Sequence, residues 1–416
     1  MAMKKTPVTG MKDILPEEMA IRDYVIGLIK ETYASFGFTS IETPAVEHIE
    51  NLNSKQGGEN EKLIFKILKR GNKLRINDAK EENDLVDGGL RYDLTLPLSR
   101  FYANNAANLP SPFKALQTGN VWRADRPQRG RFRQFRQCDI DILGEASNLA
   151  EIELILATST LLGKLDFKGF TIRINDRRIL KAMASWAGFP EESWDDVFIT
   201  LDKMDKIGIE GVEAELKEMG FAVESVDKYL DLFKQVGSDT DGIRKAQELL
   251  GDCLDRQYSE GLIHIINSVE AAKAADFKMA FDPTLVRGMS YYTGPIFEIS
   301  MDEYGGSVGG GGRYDEMIGK FTGQATPAVG FSIGFERIVM LLLERGYQVP
   351  GAPVKKAVLI DKKVPEEKVL EAVKKAMAER AKGNTVNVLV MKKNKKFQKD
   401  QLTAEGYTEF EEIFAD

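Results

Sequence analysis

The stretch VWRADRPQRGRFRQFRQCDIDILGE, residues 121–145, decides the fold around which the rest of the chain is arranged. Gly130 marks a turn within it, and the residues on either side alternate between apolar and polar types. This pattern predicts two antiparallel strands joined by a loop. Because side chains two apart on a strand share a face, Gln137, Asp139 and Asp141 are expected to point the same way.

The same face is expected to continue toward the loop through Arg131, Arg133 and Phe135. It would then carry cations first, an aromatic ring next and carboxylates last. Such an order suits a ligand with phosphates at one end, a flat base in the middle and an ammonium or imidazole group at the other. The alternative is a solvated hairpin whose charges form surface ion pairs of little energetic value.

Composition limits the other possibilities. A chain of 416 residues exceeds the size of one hydrophobic core, so two or three domains are expected. With 43% hydrophobic and 29% charged residues it reads as a soluble globular protein. No apolar run approaches the roughly 20 residues that cross a bilayer, and the start MAMKKTPVTG lacks a signal-peptide core, so a cytoplasmic protein without membrane contact is expected.

Charge and cysteine content exclude some kinds of site. The net charge of −7 argues against non-specific nucleic-acid binding through overall charge, although a local basic patch could still serve. With 2 cysteines and 2 histidines the chain has neither a disulfide framework nor a Cys/His metal cluster, and no metal site is assigned. Cys138 and Cys253 are both expected to be small buried residues.

Helical and extended segments alternate along the chain. A helix is predicted from Pro16 to Phe36, and the strand FTSIETPAVE after it is interrupted by Pro44, which indicates an edge or an interface. The tract from about Arg178 to Ala275 is rich in Lys, Glu and Leu and predicts a helical insertion that packs on itself. Strands resume afterwards, and GAPV, residues 351–354, reads as a linker to a last unit.

Two further segments could bind a ligand. In LRYDLTLPLSR, Asp93 and Thr95 are two apart on a predicted strand and would form an acceptor pair for an ammonium group. In LVRGMSYYTG, Arg287 lies among apolar residues and is followed by Tyr291 and Tyr292. Burying a lone charge costs several kcal/mol, so Arg287 must either form a structural ion pair or await an anionic ligand.

Two glycine-containing segments follow. The run GGGGRYDEM, residues 309–317, either lets backbone approach a ligand closely or forms a flexible turn. The segment GFSIGFERIVMLLL, residues 330–343, predicts a strand that enters a helix at Gly334. Arg337 would lie in the first turn of that helix, where a cation is unfavourable unless an anion lies beside it.

Together these segments resemble the class II aminoacyl-tRNA synthetases and, within them, the histidyl-tRNA synthetases. The helix and strand through Phe36 and Pro44 resemble motif 1, the hairpin at 121–145 resembles motif 2, and AVGFSIGFERI resembles motif 3. Those motifs mark the class, whereas LVRGMSYYTG and SVGGGGRYD resemble the two signature blocks of the histidine-specific enzymes. The resemblance runs from residue 9 to about residue 340.

The resemblance implies an α+β fold, a class II catalytic domain whose antiparallel sheet is flanked by helices. Its first part is expected at residues 1–177, the helical insertion at 178–275 and its second part at 276–348. An abbreviated anticodon-binding-like α/β domain is expected at 352–416, where the sequence predicts two strands and two helices. Two strands are few for an independent sheet, so this domain would have to pair its edge with something else or lean on the catalytic body.

The implied activity is ATP-dependent activation of histidine to histidyl-adenylate and transfer to tRNA(His) by a homodimer assembled through the motif 1 region. ATP would be held by Arg123 at the α-phosphate, Arg131 at the terminal phosphates, Phe135 and Arg337 on the two sides of adenine, and by Asp125. Magnesium would bridge the phosphates. Arg287 would stabilise the charge that develops on the α-phosphate, which makes it the implied catalytic residue.

The resemblance also implies a histidine pocket. Asp93, Thr95 and Gln137 would hold the amino group, Asp141 and Tyr292 would bind the two imidazole nitrogens, and Tyr291 and Tyr314 would line the same pocket. The cluster of Lys392, Lys393, Lys395, Lys396 and Lys399 could contact tRNA phosphates, or it could be a solvated helix face.

Some residues depart from the family pattern. Met289 and Ser290 stand where a Leu-Asp pair is usual, which would change the electrostatics around Arg287, and Asp125 stands where Glu is common. The alternative function is that of a non-charging paralogue that serves as the regulatory subunit of ATP phosphoribosyltransferase in histidine biosynthesis. Such a paralogue would be expected to lose ATP contacts, whereas Arg123, Arg131, Arg287 and Arg337 all remain.

Overall fold

The computed structural model describes residues 3–53, 62–287, 291–351 and 354–415. Met289 and Ser290, and part of the predicted GAPV linker, lie outside the described residues. Contacts divide the chain into two compact units, a larger one of Met1–Asp13 and Arg22–Arg345 and a smaller one of Ile14–Ile21 and Gly346–Asp416. The boundaries predicted for a separate insertion and for two catalytic halves remain predictions.

The strands of the described residues are β1 (Thr39–Ile41), β2 (Val46–His48), β3 (Lys66–Leu68), β4 (Val86–Leu90), β5 (Phe113–Trp122), β6 (Gln134–Leu143), β7 (Phe170–Asp176), β8 (Phe277–Phe281), β9 (Pro295–Met301), β10 (Gly306–Arg313), β11 (Ala328–Ile333), β12 (Lys355–Ile360), β13 (Thr385–Val390) and β14 (Glu409–Ile413). The α-helices are α1 (Pro16–Ser35), α2 (Ile49–Leu52), α3 (Thr95–Asn105), α4 (Leu149–Lys164), α5 (Arg177–Ala187), α6 (Trp194–Leu201), α7 (Met204–Glu218), α8 (Val223–Gln235), α9 (Thr240–Leu250), α10 (Arg256–Ala272), α11 (Asp315–Thr322), α12 (Phe335–Glu344), α13 (Glu366–Ala381) and α14 (Lys395–Ala404).

The predicted hairpin is the centre of an 8-stranded sheet with the order β1-β5-β6-β11-β10-β9-β7-β8. β5 and β6 pair antiparallel from Phe113↔Leu143 to Trp122↔Gln134, as the alternating pattern predicts. The shared face is shorter than predicted, because β6 begins at Gln134 and Arg131 and Arg133 lie in the loop. There the two backbone bonds between Gln128 and Arg131 close a turn around Gly130, whose φ is +68°.

The sheet is mixed rather than wholly antiparallel. β1 pairs parallel with β5, and β7 pairs parallel with β8, while the pairs between them run antiparallel. Pro44 separates β1 from β2, and β2 belongs to a second, 3-stranded sheet with the order β2-β4-β3. The predicted interrupted strand is therefore two strands in two sheets, because proline has no N–H to continue a ladder.

Helices α5 to α10 occupy Arg177–Ala272, where the sequence predicts a mainly helical tract. Their packing includes edge-on contacts of Phe189 with Phe221 and with Tyr229, at ring centroid distances of 5.2 and 5.3 Å. The Asp176 side chain caps the first of these helices by accepting from the Arg178 N–H. The tract therefore has an apolar interior of its own, although contacts group it with the larger unit.

The smaller unit contains a 3-stranded parallel sheet with the order β13-β12-β14. The prediction of only two strands is wrong, because Glu409–Ile413 forms a third strand beside β12. Its sequence EFEEI contains three glutamates, two of them adjacent, so it lacked the regular alternation that predicts a strand. Two of the candidate tRNA-binding lysines, Lys395 and Lys399, form ion pairs with Glu412 on this strand.

Three other expectations need correction. Asp93 and Thr95 do not share a strand, since β4 ends at Leu90 and α3 begins at Thr95. The glycine run is not a turn but β10, a central strand of the large sheet. Cys138 is buried as expected, but Cys253 is exposed.

Membrane-spanning helices and clusters of metal-binding side chains are both absent from the described residues. None of the helices there is long and apolar enough to cross a membrane. No group of three or more His, Cys, Asp or Glu side chains in the described part of the chain converges to hold a metal ion.

Candidate active site

Two adjoining cavities open above one face of the large sheet. The smaller has a volume of about 110 Å³, and the larger has a volume of about 980 Å³. The residues that line both, and so mark the junction, are Arg123, Gln137, Arg287, Gly310 and Ser332. A small compartment beside a large one suits two ligands that react with each other at the junction.

One row of the sheet forms much of the floor. Strand register places Arg173 opposite Glu298, Glu298 opposite Gly310, Gly310 opposite Ser332 and Ser332 opposite Asp139. Side chains opposite one another in neighbouring strands lie on the same face. The row therefore carries charged and polar groups across five strands, with a glycine at its centre.

Glycines in this floor make space for charged side chains. A Cβ atom at Gly310 would lie 2.7 Å from Arg287 Nη1, and a Cβ atom at Gly330 would lie 2.0 Å from Asp141 Oδ1. Neither distance is sterically possible, so the glycines let the guanidinium and the carboxylate lie directly against the backbone. The glycine run serves close approach, one of the two alternatives that its sequence left open.

The small cavity is rich in hydrogen-bond acceptors. The Tyr314 hydroxyl donates to Asp141 Oδ1 at 2.5 Å, while the Gln137 amide lies 3.3 Å from both Asp139 Oδ2 and Ser332 Oγ. Asp93 Oδ2, Asp141 Oδ2 and Gln137 Oε1 are buried and have no hydrogen-bond partner among the residues that the structure describes. Buried acceptors without partners are costly, so this cavity is prepared for a ligand that brings donors.

Burial favours the neutral forms of the carboxyl groups in this cavity. It raises the pKa of Asp139 to about 7, with a further increase from the charge of Asp93. Burial also raises the pKa of Asp141 well above its ordinary value, and that of Asp93 above its ordinary value. A cationic ligand would reverse the effect by stabilising the ionised forms, so the cavity favours a positively charged group.

Asp93 and Thr95 reach the small cavity from the start of a helix. Asp93 Oδ1 accepts from the backbone N–H of Leu96 at 3.1 Å, which caps the first turn of α3. This bond leaves Asp93 Oδ2 at the cavity, where Thr95 also contributes to the lining. Their proximity in space was predicted correctly, but a helix start rather than a strand produces it.

Three tyrosines close the small cavity. The rings of Tyr291 and Tyr292 are 4.7 Å apart between centroids, and Tyr291 meets Tyr314 edge-on at 6.0 Å. Tyr314 is a fully buried side chain, and Tyr292 is also buried. The pocket therefore has aromatic walls with hydroxyl groups, which fit a flat polar ring better than an aliphatic side chain.

The large cavity has cationic and aromatic walls. The Arg123 guanidinium lies 5.2 Å from the centroid of the Phe135 ring, and its Nε donates to the Tyr92 carbonyl at 2.8 Å. Arg131 is half-exposed and lies 3.8 Å from Asp125, a weak ion pair. Arg131 can therefore turn toward an anion without breaking a buried contact, whereas Arg123 is held in place by its bond to the Tyr92 carbonyl.

Arg337 lies in the first turn of α12, as the sequence predicts. Its guanidinium donates to the Ser307 carbonyl and lies 5.1 Å from the centroid of the Tyr304 ring. The helix is held against the hairpin by Glu336, which accepts from both guanidinium nitrogens of Arg22 and from the Arg136 backbone N–H. Buried, hydrogen-bonded charges of this kind fix the geometry of an element strongly.

Arg287 stands at the junction of the two cavities. Its Nη1 donates to Glu298 Oε2 at 2.6 Å, and its Nε is buried without a hydrogen-bond partner in the described part of the chain. Its backbone has φ of +63°, a conformation that non-glycine residues rarely adopt and that often marks functional sites. The sequence left open whether Arg287 forms a structural ion pair or awaits an anionic ligand. The ion pair is present, and the position of Nε still permits a ligand contact.

Every candidate site residue lines one of these cavities. The candidates in the small cavity are Asp93, Thr95, Arg123, Gln137, Asp141, Arg287, Tyr291, Tyr292 and Tyr314. The candidates in the large cavity are Arg123, Asp125, Arg131, Phe135, Gln137, Arg287 and Arg337. Their individual roles remain predictions, but segments far apart in the chain meet in one place.

Sequence reasoning missed Asp139, Ser332, Glu298 and Arg173. The alternating pattern placed Asp139 on the same face as Gln137 and Asp141. That signal was sufficient to identify Asp139 as a candidate site residue. Glu298 and Arg173 carry no comparable signal, because they become neighbours only through the antiparallel pairing of β7 with β9.

Comparisons with known proteins agree with this geometry. A family model described as histidyl-tRNA synthetase matches residues 10–338. A protein named histidine–tRNA ligase from Leifsonia xyli subsp. xyli (strain CTCB07) is 44% identical over 431 aligned residues, which cover 100% of this chain and 97% of that protein. The crystal structure of histidyl-tRNA synthetase from Nostoc sp. PCC 7120 is similar at 27% identity and a TM-score of 0.78, covering 97% of this chain and 90% of that one.

A further solved structure has the same fold. It is described as an ATP phosphoribosyltransferase regulatory subunit/histidyl-tRNA synthetase from Bacillus halodurans C, and it matches with a TM-score of 0.78, covering 99% of this chain and 98% of that one. At 21% identity, this likeness concerns the fold alone.

Proposed function

The chain belongs to the histidyl-tRNA synthetase family, and we propose that its two cavities bind histidine and ATP, form histidyl-adenylate and transfer histidine to tRNA(His). The observation that carries this proposal is the pairing of a small cavity with unpartnered buried acceptors and a large cavity lined by arginines. Arg287 and Arg123 stand where the two meet.

Histidine would occupy the small cavity. Its ammonium group would donate to Asp93, Thr95 and Gln137, which supports the assignment because two of these residues have acceptor oxygens without partners. The imidazole would lie between Asp141 and Tyr292, with Tyr291 and Tyr314 along its faces and edges. A side chain without ring nitrogens would leave Asp141 Oδ2 buried and unpartnered, so the same arrangement provides selectivity.

ATP would occupy the large cavity in a bent conformation. Arg123 would contact the α-phosphate, Arg131 the terminal phosphates, and Phe135 and Arg337 would enclose adenine, with Asp125 nearby. The Arg337 guanidinium lies over the Tyr304 ring. Adenine would have to displace that ring or bind Arg337 beside it. The half-exposed Arg131 would lose little on turning to a phosphate.

The reaction needs no general base. A carboxylate oxygen of histidine would attack the α-phosphorus, a new P–O bond would form, and the bond to the departing pyrophosphate would break with its electron pair. Negative charge would accumulate on the non-bridging oxygens in the transition state. The Arg287 guanidinium would stabilise that charge at the junction, where its orientation is already set by Glu298.

Magnesium fits this site only as a companion of the ATP phosphates. Because no group of three His, Cys, Asp or Glu side chains within the described residues could hold a metal ion, the protein offers no complete ligand set. Mg²⁺ commonly takes one or two carboxylates together with substrate phosphates, and Asp125 is the candidate in the phosphate cavity. When bound, the ion would neutralise phosphate charge, which the arginines offset only in part.

Histidine-dependent exchange of pyrophosphate into ATP tests the proposal directly. We expect exchange with magnesium present and histidine as substrate, and no comparable exchange with any other standard amino acid. Binding of histidine without exchange would instead support the non-charging regulatory subunit of ATP phosphoribosyltransferase. The comparisons give that alternative no better support than the ligase.

We expect histidine binding to release a proton near neutral pH. Burial raises the pKa of Asp139 to about 7, and an adjacent ammonium group would lower it. The bound state would then hold fewer protons than the free state, so affinity should rise as pH increases through about 7 and level off above it. Calorimetry in buffers of different ionisation enthalpy measures the released proton.

The variant Asp139→Asn separates this effect from the titration of the ligand itself. Free imidazole also titrates near pH 6.5, and this variant keeps that titration while it removes the carboxyl group. The difference between the two pH profiles belongs to Asp139. Identical profiles would show that Asp139 does not respond to the ligand.

Partners of the chain follow from the same proposal. A homodimer would assemble through the motif 1 region, supported by the exposed apolar side chains Val46 and Leu68 in the adjoining small sheet. Light scattering of the purified protein distinguishes dimer from monomer. Transfer RNA would contact lysines such as Lys393 and Lys396, and charging would take place in the cytoplasm.

A further inference from the structure

A chain of ion pairs leads from Arg287 across the sheet. Arg287 Nη1 donates to Glu298 Oε2 at 2.6 Å, and Arg173 Nη2 donates to Glu298 Oε1 at 2.7 Å. Arg173 Nη1 then reaches Asp282 Oδ2 at 2.9 Å and Asp205 Oδ2 at 3.1 Å. Charges alternate in sign along the whole chain, and Glu298 is the link that touches both arginines.

The strand register fixes Glu298 in place. Glu298 lies on β9 between Arg173 on β7 and Gly310 on β10, each directly opposite it in the ladder. Gly310 has no side chain, and the Arg287 guanidinium occupies the space where a Cβ atom would lie. The backbone of the sheet therefore sets the position of the Glu298 carboxylate, and the carboxylate sets that of the guanidinium.

Arg287 depends on such an anchor. It lies on a connection between strands rather than in one, and its backbone has a strained φ of +63°. An arginine side chain has about 2 kcal/mol of rotamer entropy, so without a fixed partner it would sample several orientations. A guanidinium that must move before it meets developing charge stabilises the transition state less than one already in place.

Two arginines keep Glu298 ionised. Although burial alone would raise it, the pKa of Glu298 lies below its usual value because of the charges of Arg287 and Arg173. Glu298 is therefore ionised at neutral pH. Because Arg173 binds Oε1 of Glu298, Oε2 is presented to Arg287 in a fixed direction.

We propose that Glu298 is a positioning residue for Arg287, and that Arg173 fixes Glu298 in turn, so that this pair sets the rate of the step that Arg287 promotes rather than the affinity for the amino acid. The inference rests on the proposed function, since it concerns adenylate formation. Neither residue needs to touch histidine or ATP for this effect.

A double-mutant cycle tests the inference. In the otherwise unchanged enzyme, Glu298→Gln should lower kcat of histidine-dependent exchange by about 10- to 100-fold, because an amide keeps the shape but loses the charged hydrogen bond. The KM for histidine should change by no more than about 3-fold. In an Arg287→Ala background, Glu298→Gln should have no further effect on kcat, since the residue it positions is absent.

Two results would overturn the inference. One is an equal loss from Glu298→Gln with and without Arg287, and the other is a rise in the KM for histidine with kcat unchanged. Either would show that Glu298 acts on the sheet or on substrate binding rather than through Arg287. If Glu298→Gln does not fold, Arg173→Gln replaces it in the cycle, with the same two criteria and a smaller expected loss of kcat.

A matched control uses the same hairpin. Glu303→Gln makes the same chemical change in the turn after β9, where Glu303 forms a surface ion pair with Arg345 outside both cavities. Its kcat should equal that of the unchanged enzyme. Absence of exchange in the unchanged enzyme would contradict the proposed function itself, whereas normal exchange with an additive cycle would contradict only the role of Glu298.

Discussion

Replacing Arg287 with alanine is expected to lower kcat for adenylate formation by about 10²- to 10³-fold while histidine still binds. The guanidinium stands where the two cavities meet, is held by Glu298 and has a buried Nε without a partner in the described residues. Its electrostatic contribution should therefore be made mainly when charge develops on the α-phosphate. Single-turnover formation of adenylate, compared with equilibrium binding of histidine, measures the two effects separately.

The variant Arg287→Lys provides the comparison. Lysine keeps the positive charge but loses the planar donor geometry, so it should recover only part of the rate. Equal losses of rate and of histidine affinity in Arg287→Ala would contradict the expectation. Arg287 would then stabilise bound substrate and transition state equally. Its orientation by Glu298 would have no effect on the rate of the chemical step.

Replacing Asp141 with asparagine is expected to lower kcat/KM for histidine by about 10²-fold, through the loss of a charged hydrogen bond of about 3 kcal/mol. Asp141 Oδ1 accepts from Tyr314, and Oδ2 faces the small cavity without a partner among the described residues. In asparagine, an amide donor would replace one of these acceptors, opposite either the Tyr314 hydroxyl or an imidazole N–H. Exchange kinetics at varied histidine concentration measure the change.

The folding stability of Asp141→Asn should not fall with its kcat/KM. Burial and the neighbouring charge of Asp139 raise the pKa of Asp141. The ionised carboxylate therefore destabilises the folded protein. Asp141→Asn removes this charge and should leave the melting temperature unchanged or raise it. Such a result would show that the loss of kcat/KM is a binding defect and not misfolding. A loss of kcat/KM below about 5-fold would mean that Asp141 acts as a neutral acid and that the imidazole is recognised elsewhere.

Tyr314→Phe is the matched variant for this measurement. It removes the hydroxyl that donates to Asp141 and leaves the carboxylate and the aromatic wall in place. We expect a smaller loss than for Asp141→Asn, because the phenol orients the acceptor rather than contacting the imidazole. A larger loss would transfer the main recognition role to the tyrosine.

Much of this site could be predicted from local patterns. The hairpin around Gly130, the strand that enters a helix at Gly334 and the tyrosine pair after Arg287 each have a signal within a few neighbouring residues. Alternation and turn residues report local backbone geometry directly. For that reason many of the candidate residues could be predicted although they lie on five separate segments.

Other features had no local signal or a misleading one. Asp93 and Thr95 looked like a strand pair, but Asp93 caps a helix, and a two-residue spacing does not distinguish these cases. The strand Glu409–Ile413 is rich in glutamate, and it is stabilised by its pairing with β12, by ion pairs with lysines and by the packing of Phe410 and Ile413. Tertiary contacts overrode local preference at this strand.

By itself, the sequence determined the hairpin at 121–145, the order of cation, ring and acid along it, and the family to which these motifs belong. Only the tertiary structure decided that Glu298 and Arg173 stand behind Arg287, that glycines make room for two charges, and that three buried carboxyl groups share one small cavity. The physical reason is that strand and helix signals arise from nearest neighbours, whereas ion pairing, burial and pKa depend on atoms brought together across the sheet.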